Sequence, residues 1–296
     1  MELPVDPTTT DASAEAVLRE VDTRGLLAAA LQATEINADS SWERDRLITE
    51  LSPIDRERLA NEIRYAAPRT THYFRLPGLE QVTTSTFEGL LEDSSYGAQL
   101  HATDELFERS YLIFSVPDSG TQSQLSVSEA NRHTTVASFD PGINLLAVRA
   151  PTPESAGVTS GKLTGVDPIE SVTRLDFLEP EFLSELESNF VRGYHRLTLG
   201  VSQETAHTDQ IELSSDEPAT ADLLQDDVVR SLLDRPDVFR VAGRGVLDPS
   251  EFETESASSR PTADIDYSDC VIKYQTVPSE STMVAVDRTI QSISNS

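Results

Sequence analysis

The chain has 296 residues, with 51 Asp and Glu against 23 Lys and Arg, and a formal charge of −28. Only two of its basic residues are lysine, Lys162 and Lys273; the rest are arginine. One cysteine, Cys270, excludes an internal disulfide and a cysteine-based zinc site. Carboxylates hold water, and arginine is more weakly hydrated than lysine, so the balance reads as that of a salt-in halophile, a haloarchaeon or its virus. Self-repulsion of that size is screened only in molar salt, where the Debye length is about 3 Å, so folding is expected to depend on salt. In such a medium an acidic surface does not exclude DNA, but a contact would rest on base edges and shape, because phosphate-driven affinity falls steeply with salt. The first residues carry no positive region followed by an apolar run, and no window nears 18 apolar residues. A cytoplasmic protein without a membrane contact is the expectation.

Residues 1–11 are polar, with two prolines, and read as a disordered lead. Helical spacing follows. Ala16, Val17, Leu18, Val21, Leu26, Leu27, Ala30 and Leu31 mark one helix or two. Trp42, Leu47, Ile48 and Leu51 mark the next, and Ser52-Pro53 starts a third that ends before Pro68. The expectation is a helical unit over 12–67. Its last helix mixes Arg56, Arg58 and Arg64 with Asp55, Glu57 and Glu62, the pattern of a solvated face.

Beyond it, two α+β segments are expected, 68–177 and 178–296. Strands are expected over 109–116, over 134–149 around Asp140-Pro141-Gly142, and over 194–202, 208–213 and 238–247. Helices are expected over 180–191 and 219–234, a loop or linker over 256–264, and a hairpin of 269–276 with 282–288. Strand, strand, helix occurs twice, around 134–149 and 194–234, without residue identity. The fold class expected is α+β: an N-terminal helical unit followed by antiparallel or mixed sheets covered by helices.

No motif carries chemistry unaided. Gly157 to Thr164 resembles a phosphate loop, but only three residues separate Gly157 from Gly161, and Leu163 stands where Ser or Thr must meet magnesium. A surface loop is expected there. Gly243-Arg244-Gly245 lacks the third glycine of a dinucleotide site; it predicts a bulge or close approach, with Arg240 and Arg244 as candidates to grip an anion. His195, His207 and Asp209 could converge across a hairpin as a metal or enzyme site, but with no fourth ligand or base. The stretch Pro68 to Arg75 has no acid; Arg69, His72, Tyr73, Phe74 and Arg75 are the candidate contact surface, the alternative being a core strand. Cys270 reads as a small buried residue in a strand. No cofactor or metal is expected. The reading is a non-enzymatic binding, interaction or assembly protein with protein partners. Two alternatives stand beside it: a nucleic-acid-associated regulator using the helical unit, and an enzyme with a site near His195, His207 and Asp209.

Overall fold

A computed structural model describes residues 65, 70–91, 97–117, 132–202, 209–215, 222–249, 260–275 and 278–295. The lead and the helical unit expected over 12–67 lie outside them, apart from Tyr65. Among the described residues, eleven strands build one antiparallel sheet. They are β1 (Thr70–Arg75), β2 (Gln99–Leu106), β3 (Arg109–Pro117), β4 (Arg132–Phe139), β5 (Leu145–Arg149), β6 (Thr173–Arg174), β7 (Val191–Val201), β8 (Asp209–Ser214), β9 (Val238–Leu247), β10 (Thr262–Asp266) and β11 (Val271–Tyr274). Their order is β2-β3-β4-β5-β1-β11-β10-β9-β7-β8, with β6 continuing the line of β11 along β1. Helices are few: α1 (Pro153–Leu163), α2 (Pro180–Glu185), α3 (Asp227–Leu233) and α4 (Glu280–Asn295), with short 3₁₀ turns and a π turn, Leu186–Phe190. The expected α+β class, a helical unit followed by helix-covered sheets, is therefore corrected: the described chain is one large sheet. It runs unbroken from the segment 68–177 into 178–296, joined where β1 pairs with β5 on one side and β11 on the other.

The expected doubling of strand and helix takes a larger form. β2 to β5 form a meander followed by α1; β7, β9, β10 and β11 form another followed by α4. The two helices cover opposite faces. On the back face, α1 and the turns over 79–90 pack on Phe74, Leu112, Phe114, Ala137, Phe139, Leu146 and Val148. On the front face, α4 sets Met283, Val286, Ile290 and Ile293 against Tyr73, Ile265, Ile272 and Tyr274, with α2 and the π turn adding Phe182, Leu186 and Phe190.

Several local expectations change. The loop expected over 157–163 is α1. Pro153 sits at its first turn, where a missing N–H costs nothing, and Thr152 caps it: Ser155 N donates to Thr152 Oγ1 at 3.2 Å. The strand expected over 282–288 is part of α4. Its β-branched run suggested a strand, but Met283, Val286, Ile290 and Ile293 follow helical spacing, and Thr282 N donates to Ser279 Oγ at 3.4 Å. The linker expected over 256–264 ends in β10, whose Ala263 and Ile265 enter the core. The expected helix 180–191 stops at Phe190, and the described part of 219–234, from Asp222 on, holds a 3₁₀ turn and α3.

Candidate contact surface on the open sheet face

One part of the back face is left to solvent. On β7, Leu197, Leu199 and Val201 point into the front core, so Arg196 and Thr198 point back. The register carries this across the sheet: Arg196 stands opposite Arg244, Thr198 opposite Ala242, Gly200 opposite Phe239, Arg244 opposite Asp264, and Asp264 opposite Lys273. These side chains are exposed or half-exposed, and the apolar clusters of the described residues do not extend to them.

A charge ladder crosses this face. Arg196 pairs with Glu212 of β8 through Nε at 2.6 Å and through Nη2. Arg244 pairs side-on with Asp264, Nε at 2.5 Å and Nη2 at 3.0 Å, and Gln275 also donates to Asp264. Lys273 is exposed beyond Asp264. The two arginines are thus direct cross-strand neighbours, about 5 Å apart at Cβ, an arrangement of like charges that costs energy unless each is countered. Carboxylates on the outer sides do that and fix the guanidinium planes. His195 sits at a bulge beside them. Burial, aided by the Arg244 charge, lowers its pKa, and Nδ1 has no hydrogen-bond partner among the described residues. At the far end Phe239, 42% exposed, lays its ring over Gly200, where a Cβ would collide with it.

The other polar concentration is sealed. Arg149, fully buried, donates from Nη1 and Nη2 to Glu280 of α4 at 2.5 and 2.8 Å and from Nη1 to the Tyr65 carbonyl. Arg109 donates to Asp287 at 2.6 Å, Tyr73 to Asp287 at 2.8 Å, and Tyr111 to Glu280 at 2.7 Å. Burial pushes the phenols of Tyr73, Tyr111 and Tyr274 well up, so all three stay neutral, and Tyr73 and Tyr111 serve as donors. Arg288 and Asp140 extend the network to a cleft of about 540 Å³ lined by Glu108, Asp140, Pro141, Arg288, Gln291, Ser292 and Asn295. Three arginines meet three carboxylates, so the charges compensate, and the cluster reads as the lock holding α4 to the sheet.

The residues singled out from sequence fall as follows. Arg69 lies outside the described residues. His72 and Phe74 point to the back face and Tyr73 to the front, all three buried, and Arg75 is tied to the Ser294 carbonyl at 2.8 Å. From Thr70 to Arg75 the acid-free stretch is a core strand buried on both faces, so His72, Tyr73 and Phe74 do not form the expected contact surface. His72 is fully enclosed in the seam between Val148 and Val271. Burial lowers its pKa to about 4. Arg240 and Arg244 do not form the expected joint grip: Arg240 turns toward Glu187 of the π turn at 2.5 Å, while Arg244 turns to the back face. The glycines around Arg244 serve packing. A Cβ at Gly243 would stand 2.6 Å from the Tyr194 ring, and one at Gly245 would stand 2.7 Å from Val191. His207 and the Asp209 side chain lie outside the described residues, and no group of three or more potential metal ligands occurs among the described ones. Lys162 lies in the last turn of α1. Cys270 is buried at a positive-φ turn just before β11, its thiol pushed up by burial. No described helix is long and apolar enough to cross a membrane.

Sequence reasoning missed Arg196, Lys273 and Phe239, and the buried set Arg109, Arg149, Glu280 and Asp287. The alternation Arg196-Leu197-Thr198-Leu199 was a usable signal for the first of these. The buried set had none, since its members come from strands and a helix far apart in sequence.

No protein-family model matches the chain, and a search of curated proteins finds no similar sequence.

Proposed function

We propose that this is a non-enzymatic interaction protein, cytoplasmic and working in molar salt, whose contact surface is the back face of β7 to β11. The observation that carries the reading is the unequal covering of one sheet. Strands β3, β4, β5 and β1 are largely buried on both faces, whereas this part presents oriented arginines, Lys273, threonines and the Phe239 ring to solvent. Its acids, Glu212, Asp264 and Asp266, balance Arg196, Arg244 and Lys273, so it is a nearly neutral area on a chain of charge −28, where a protein partner meets least repulsion. Arginines and an aromatic ring that lose little freedom on docking are the groups that dominate interfaces.

The two lysines make a test. Lys273 lies on the proposed surface and Lys162 on α1. Lysine acylation, read by mass spectrometry with and without extract of the producing cells in potassium chloride of about 3 M, should show Lys273 protected and Lys162 unchanged. Equal labelling of both in extract and in buffer would contradict the surface. A melting temperature that stays flat as salt is lowered would remove the salt-adapted part of the proposal.

A further inference from the structure

We infer that the partner segment docking on this face carries a carboxylate that bridges Arg196 and Arg244 and an apolar side chain that packs on Phe239. The inference rests on the contact-surface reading and names its partner's chemistry. All hydrogen bonds of the two arginines to Glu212 and Asp264 run through Nε and Nη2, so the Nη1 edge of each takes no part in them. Two guanidinium groups on directly paired residues, each held in plane from its outer side, form a preorganised fork for a planar two-oxygen anion. An anion placed between them also relieves their mutual repulsion.

Charge complementarity selects a carboxylate over a nucleic-acid backbone. Arg196, Arg244 and Lys273 are offset locally by Glu212, Asp264 and Asp266, so the area accepts one added negative charge but not a run of phosphates beside a strongly acidic chain. Gly200, whose neighbour across the sheet is Phe239, lies four residues from Arg196 along β7, roughly 13 Å at about 3.3 Å per residue. An extended segment with an acid and an aliphatic residue four positions apart spans that distance. Phe239, exposed and flat on Gly200, offers its ring as the apolar seat.

The probe is a labelled synthetic peptide in which Glu and Leu stand four residues apart in a Gly/Ser/Thr background. Fluorescence anisotropy is read in potassium chloride of about 2 M. Compared with it are the same peptide with Gln for Glu, one with Lys for Glu, and an oligothymidine. Wild type should bind the Glu–Leu peptide, and the Gln peptide should bind at least about tenfold more weakly. Arg196→Glu with Arg244→Glu should lose the Glu peptide and gain the Lys peptide, and Phe239→Ala should weaken binding without changing the Glu/Gln ratio. If the double reversal does not keep the wild-type melting profile, Arg196→Gln with Arg244→Gln replaces it and should lose the Glu/Gln preference. Equal binding of Glu and Gln peptides, tighter binding of oligothymidine, or no peptide binding overturns the inference. If the peptide fails while Lys273 is still protected in extract, the partner chemistry is wrong and the contact surface stands; if both fail, the surface reading falls too.

Discussion

Replacing Arg149 with Met should lower the unfolding free energy by about 3–5 kcal/mol, among the largest effects of any single change in this protein. Arg149 is fully buried and donates twice to Glu280, so its removal leaves a carboxylate inside the fold with Tyr111 as its remaining side-chain donor among the described residues. Arg149→Met with Glu280→Met should recover most of the stability, since the apolar pair removes both desolvation costs together. Denaturant unfolding of the three proteins in molar salt measures this. A single-mutant loss below about 1 kcal/mol, the scale of an exposed pair, would show that α4 is not locked by this network.

His72→Leu should make the protein more resistant to acid. The buried ring has its pKa lowered from 6.5 to about 4, chiefly by burial, with the Arg174 charge lowering it further and the Ala150 backbone and Asp269 opposing. The sign follows from which state binds the proton first. Above pH 6.5 both states hold a neutral ring and His72 costs nothing. As pH falls from 6.5 toward 4 the unfolded chain protonates first, and stability declines by about 3 kcal/mol in all. Leucine, between Val148 and Val271 on the same seam, removes that decline. Unfolding midpoints followed from pH 7 down to about 4 should therefore fall for wild type and stay nearly level for the variant, over and above the shared loss from carboxylate protonation. Parallel acid limbs for the two proteins would show that His72 does not gate the seam.

Much of the local structure was legible, and little of its assembly. Continuous apolar runs marked β3, and Asp140-Pro141-Gly142 marked the turn between β4 and β5, because these signals are local. β2 was hidden, since Gln99 to Leu106 is half polar and lies at the sheet's edge with an exposed side. α1 was hidden because Pro151 and Pro153 read as breakers, when Pro153 occupies the one turn of a helix that tolerates it. The acid-free stretch around Tyr73 suggested a surface. Its lack of carboxylates has the opposite cause: β1 is the central strand, and both faces are buried. The open face escaped notice because its charges come from five strands. Only the register places Arg196 beside Arg244, and no spacing along the chain encodes that pairing.

The most direct measurement is thiol accessibility across the sheet. Native Cys270 is buried, so single cysteines placed elsewhere report their own positions. Thr198→Cys and Thr262→Cys put a thiol on the back of β7 and β10, and Ala137→Cys puts one on the back of β4 beneath the covering helix and turns. With a maleimide reagent in molar salt, the first two should react at rates approaching that of a free thiol, and the third should react only on unfolding. Protection of Thr198→Cys and Thr262→Cys to the level of Ala137→Cys would mean that this face is closed in the isolated protein, and would contradict a contact surface there.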